Sequence, residues 1–262
     1  MVSGKSSKAA RNARASVVTR RSTPWGTIAA VLVVVLFAAG ICGYARVRNR
    51  ATTEQKEALA KFTPSATNQD PSHQIPGIAT QQYAGGQHVT PDKQVAYTHS
   101  PPFGGAHDGY WAACNGVVYP TAVRSENLVH SLEHGAVWIA YNPDQVSGAA
   151  LDTLKSKVDG ERYMVMSPYP NLDSPVSLQS WGHQLKVSDV NDPRIDEFIS
   201  SLKQNQYTHP EVGASCDAIG PGGFDQDNPP PYVPAPAVGA PGSEPEVSSA
   251  PASVAPDAAP MR

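Results

Sequence analysis

Residues 25–45 carry no charged side chain, and this run constrains the chain more than any other stretch of it. Wound as a helix at ~1.5 Å per residue, it reaches about 30 Å, the thickness of a bilayer's hydrocarbon core. Trp25 and Tyr44 flank it as interfacial aromatics, and Arg46, Arg48 and Arg50 close it. A cleaved signal peptide is the rival reading, but its apolar part is shorter and leads into a small-residue cleavage site rather than into arginines. Arg20-Arg21 invite a twin-arginine export signal, which the following Ser-Thr-Pro-Trp fits poorly. The expectation is one transmembrane helix.

Charge sets its direction. Residues 1–24 hold Lys5, Lys8, Arg11, Arg14, Arg20 and Arg21 and no acid, so they read as a disordered, solvated basic arm. Six basic residues before the span outweigh three after it, which places the N-terminus in the cytoplasm and the bulk of the chain outside. The net charge of -3 averages this arm with an acidic far end and gives no reason to expect a nucleic-acid partner. Eleven of the 25 prolines fall in residues 221–262, so 219–262 reads as a disordered Pro/Ala-rich tail, extended in polyproline II fashion.

Cys42 lies in the span, leaving Cys114 and Cys216 as the pair in the exported part. In an oxidising compartment a bridge between them would tie the ends of the core together, closing a loop of ~100 residues and contributing about 4–5 kcal/mol on the chain-entropy picture. Two free buried thiols are the alternative.

Between stalk and linker (46–77) and tail, residues 78–218 read as a single extracytoplasmic α+β domain, with a mixed or antiparallel sheet and a few helices. Strand pieces fall at 88–89, 93–97, 117–119, 136–141, 163–166, 176–180 and 184–187. Helices fall at 125–134 with Ser125 as N-cap, at 145–158, and after Asp192-Pro193, where Ile195, Phe198, Ile199 and Leu202 make one apolar stripe. Ser100-Pro101-Pro102-Phe103-Gly104-Gly105-Ala106-His107 must be a loop.

Seven of the eight histidines lie in residues 88–209, which concentrates the chemistry there. On a helix over 125–134, His130 and His134 stack on one face with Glu133 within a turn of His130, and Gly135 stops the helix. His130-x-x-Glu133-His134 matches the inverted zincin pattern, two imidazoles on zinc with a glutamate activating water. No distal helical Glu offers a third ligand, so a hydrolase with Glu133 as its catalytic group is the third choice. A non-catalytic metal site needs less: His107 from the Gly-rich loop, or His88 or His183, completes a shell around His130 and His134, with Glu133 as ligand or outer partner. The plain reading is that these are core and surface residues, with His134 at a helix C-terminus and Glu133 in an ion pair. A Cys114 nucleophile fails if Cys114 is oxidised. No Gly-x-Ser-x-Gly elbow, phosphate loop or dinucleotide fingerprint is present. Trp111, Trp138 and Trp181 read as core or site-wall aromatics.

Gly86-Gln87-His88-Val89, Tyr97, Pro101-Pro102 with Gly105 and His107, Gly116-Val117 with Tyr119, Val129-His130-Ser131-Leu132-Glu133-His134-Gly135 with Tyr141, Ser167-Pro168 and Trp181-Gly182 together resemble the domain of unknown function 3105 family. The resemblance covers roughly residues 78–210 and implies a membrane-anchored protein, mostly actinobacterial, with no assigned activity. It points to His88, His107, His130, Glu133 and His134. Where the family's proline loop carries Ser before the Gly, this chain carries Phe103.

The expected function is a single-pass envelope protein that binds copper or zinc through its histidines, for metal handling or as an accessory to other envelope or membrane-complex proteins. The competing class is a metal-free structural or interaction module.

Overall fold

The computed structural model describes residues 24–246. The basic arm (1–23) and residues 247–262 lie outside the described residues. Two compact units result, Met1–Gln55 and Lys56–Arg262.

The first contains most of helix α1 (Trp25–Leu59), whose Val34, Leu36 and Phe37 are exposed. α1 runs past the uncharged stretch because residues 46–59 hold good helix formers and no Gly or Pro. It is long and apolar enough to cross a membrane.

The second unit is an α+β domain. Its six-stranded mixed sheet has the order β1 (Ala79–Thr80), β9 (His183–Val187), β8 (Val176–Ser180), β6 (Val137–Tyr141), β7 (Met164–Pro168), β5 (Asn115–Val118). Strands β5, β7 and β6 run parallel, while β8 and β9 turn back antiparallel across Trp181-Gly182. Period-2 alternation divides the core. Val137, Ile139, Met164, Met166, Leu178 and Leu185 face a layer of α3 (Gly148–Lys155) and α4 (Arg194–Leu202). Trp138, Ala140 and Val165 face α2 (Ser125–Glu133). With both faces covered, β6 is buried at all five positions, which is why it reads as an uninterrupted apolar run. Four short strands complete the fold. Strand β2 (His88–Val89) pairs in parallel with β4 (His107–Asp108), and β3 (Val95–Ala96) with β10 (Glu244–Pro245).

Both expected borders move outward. The stretch read as linker folds into two 3-10 turns, Ala60–Phe62 and Pro71–Gln74, and Phe62 and Ile75 are buried in the α4-side core. Two apolar side chains suffice to anchor a segment whose average composition is polar. The stretch read as tail packs through Glu246. Phe224 is buried, Tyr232 meets Tyr169 at 5.1 Å between ring centroids, and β10 adds to β3. Such a proline-rich segment builds no core of its own. It is already extended, so little conformational freedom is lost when spaced anchors dock on a preformed surface.

Candidate metal centre

Helix α2 is buried along its whole length although six of its nine residues are polar. The extended segment 108–112 explains this, because alternate carbonyls face the helix. Asp108 O accepts from His130 Nδ1 (2.6 Å), Tyr110 O from Asn127 Nδ2 (2.7 Å) and Ala112 O from Ser131 Oγ (2.7 Å). Ser125 is the first helical residue rather than the cap; Arg124 occupies the cap position, and its guanidinium pairs with the Asp108 carboxylate and donates to Lys93 O. The helix ends in a Schellman arrangement, Gly135 N–H to Leu132 O and Ala136 N–H to Ser131 O, with Gly135 at φ +88°. A Cβ there would lie 2.6 Å from His209 Nε2, so any other residue enters only by displacing that ring.

The two ends of the cluster arrive from different elements. Register between β2 and β4 sets His88 opposite His107, their rings 4.9 Å apart, and both meet His130 at 5.0 and 4.8 Å. Glu133, fully buried, points into this group: Oε1 accepts from Gly86 N–H (2.6 Å), while Oε2 lies 2.8 Å from His107 Nε2 and 3.9 Å from His88 Nε2. A turn further along α2, the His134 ring is 4.6 Å from that of His130, and its Nε2 is 3.0 Å from Glu211 Oε2. His88, His107, His130 and Glu133 can present ligand atoms within 4.8 Å of one another, and so can His130, His134 and Glu211.

Three of these imidazoles are oriented the same way. Nδ1 of His107 faces Gly105 O (2.7 Å), Nδ1 of His130 faces Asp108 O, and Nδ1 of His134 faces Ser215 O (2.6 Å). A carbonyl only accepts, so each Nδ1 carries a proton and each ring turns its Nε2 inward. His107 Nε2 and Glu133 Oε2 are close but off the line of a hydrogen bond, and both are buried without an aligned partner. With Nε2 unprotonated the two are facing acceptors, which repel at such a distance unless a metal ion lies between them.

Burial, followed by the neighbouring His107 and His134, pushes His130 down to about 3; burial and His107 push His88 down as well. Burial alone would raise the Glu133 carboxyl, but His107 beside it and the Gly86 N–H hold it below the usual carboxylate value. His134 does the same for Glu211. At neutral pH the site therefore offers neutral His88 and His130 together with two anionic carboxylates.

The profile of DUF3105, a family of proteins of unknown function, matches residues 88–218, half of the chain. The chain belongs to the DUF3105 family. No curated protein and no solved structure matches it.

In this DUF3105 chain the matched stretch begins at His88 and contains every residue of the cluster. It also contains the disulfide between Cys114 and Cys216, which fixes residues 211–217 against the end of α2. Of the residues singled out in the sequence, His88, His107, His130 and Glu133 come together, and His134 joins them through His130. His183 does not. Its Nδ1 faces Trp181 O and its Nε2 the Asp70 carboxylate at 3.0 Å, because β9 carries it to the far side of Trp181. Trp111 and Trp181 flank the site, 4.8 Å from His134 and 5.8 Å from His107, while Trp138 is a core residue bonded to Ser167. Sequence reasoning missed Glu211. It sits in irregular chain after α4, and Pro210-Glu211 carries no periodic signal.

Proposed function

We propose that this protein binds a transition-metal ion through the His88, His107, His130, His134 and Glu133 cluster, as a membrane-anchored part of the cell envelope. The observation that carries the reading is the orphaned pair His107 Nε2 and Glu133 Oε2, buried together beneath two more imidazoles. A proton would relieve that pair alone; a metal ion would satisfy the pair and neighbouring imidazoles at once. Backbone carbonyls on the far nitrogen of His107, His130 and His134 are the outer support that metal-binding histidines use. Imidazole and carboxylate donors suit zinc or copper(II), and with Cys114 and Cys216 joined in a disulfide neither offers the cluster a thiolate that would favour copper(I).

Helix α1 would hold the domain at the membrane with the N-terminus inside, and the disulfide fits an oxidising outer compartment. The role is metal handling or support of a larger membrane complex. A metal-free structural module is the second reading, favoured by the His107–Glu133 and His134–Glu211 contacts taken as ion pairs. Hydrolysis ranks behind both. Glu133 lies on the ligand side of His107 with Oε1 tied to Gly86 N–H, which leaves it badly placed as a base for water.

Metal analysis of the full chain in mild detergent decides between them. Bound zinc in the wild type, lost in His107→Ala/His130→Ala with the fold intact by circular dichroism, is the expected result. A wild type that retains no zinc or copper after dialysis would establish the structural module.

A further inference from the structure

We propose that the centre is built for two divalent ions, one held by His88, His107 and Glu133 and the other by His130, His134 and Glu211; this rests on the metal-binding reading above. His130 belongs to both candidate ligand sets. Its Nδ1 is committed to Asp108 O, so it has a single lone pair, on Nε2, and can serve only one ion. If it goes to the His107 side, His134 and Glu211 are left as a pair too small to hold an ion. If it goes to the His134 side, each ion has two imidazoles and one carboxylate.

Three features support this division. His134 is oriented as a ligand, with Nδ1 on Ser215 O and Nε2 toward Glu211, although it contributes nothing to the His107–Glu133 set. A structural helix-end histidine needs only the first of those contacts. Each set has its own carboxylate, Glu133 with Oε2 2.8 Å from His107 Nε2 and Glu211 with Oε2 3.0 Å from His134 Nε2. Each set also has its own wall, Trp181 against His107 and Trp111 against His134. Three protein ligands apiece leave each ion a position for water or another exchangeable donor, the arrangement of open rather than closed zinc sites.

Two measurements on the full chain in detergent test this. Zinc per chain, after dialysis against a buffered free zinc concentration, is expected to be two in the wild type and one in Glu211→Ala and in His88→Ala. Glu211 is 40% exposed and in irregular chain, so its loss leaves the fold standing. The wild type loaded with copper(II) gives the second readout without any substitution: at two equivalents the paramagnetic resonance signal is expected to collapse through coupling between neighbouring ions. A wild type that binds one zinc, or two that both persist in Glu211→Ala, overturns the two-ion centre while leaving metal binding intact. A wild type that binds none overturns both.

Discussion

Glu133 concentrates the chemistry at the scale of single residues. It is a fully buried carboxylate whose neighbours are the Nε2 atoms of His107 and His88 and one backbone N–H. Glu133→Gln keeps the shape and removes the charge, so zinc affinity is expected to fall by more than the roughly 10–100-fold that losing an outer partner costs, read by competition with a chelating dye. Gly135 is as constrained on steric grounds. Gly135→Ala combines a positive φ with a Cβ driven into the His209 ring, and is expected to lower stability by about 1–3 kcal/mol in a denaturant titration. Asp70 gives a pH test away from the cluster. Burial, the largest single influence, raises its carboxyl, but the hydrogen bonds from His183 and Ser72 together with the nearby His183 and His73 outweigh it, and the pKa falls from 3.8 to about 2. A depressed folded-state pKa means stability that is present above 3.8 and lost as pH falls through about 2. Asp70→Asn should therefore be less stable than wild type at pH 6 and converge with it near pH 2 in parallel denaturant titrations; a constant difference across that range would contradict the assignment.

Among elements, α2 and the segments that face it decide what the site can be. The i, i+4 spacing of His130 and His134 was legible in the sequence because a helix face follows from periodicity alone. So were β8 and the apolar stripe of α4. His107 and His88 could be named as histidines, but their meeting depends on a two-residue parallel pairing between β2 and β4 that no periodicity announces. Glu211 was illegible for the same reason, since a tertiary tether rather than local pattern brings it to His134. The Cys114–Cys216 disulfide is that tether, closing a separation of 102 residues. Cys114→Ala/Cys216→Ala is expected to cost about 4–5 kcal/mol on the loop-entropy picture. It should also release zinc faster, since Ser215 and Glu211 lose their fixed position; unchanged zinc release in the melted-down variant would show that the tether serves stability alone.

For the whole molecule, the sequence located the apolar N-terminal helix and an α+β domain, and misjudged the domain's edges. Composition averaged over residues 46–77 and 219–246 hid the few anchors, Phe62, Ile75, Phe224 and Tyr232, that fasten these polar segments to the core. The proposed orientation makes the domain accessible from outside intact cells, where added protease should digest it while leaving a cytoplasmic marker whole; protection of the domain would reverse the topology. On the proposed function, the imidazoles and carboxylates of the cluster coordinate a metal ion directly. Zinc-edge X-ray absorption on the zinc-loaded full chain tests it most directly. A first shell of nitrogen and oxygen near 2.0–2.1 Å, with the multiple-scattering pattern of several imidazoles and no sulfur, is predicted. A spectrum of hydrated zinc without imidazole, or sulfur near 2.3 Å, would contradict it.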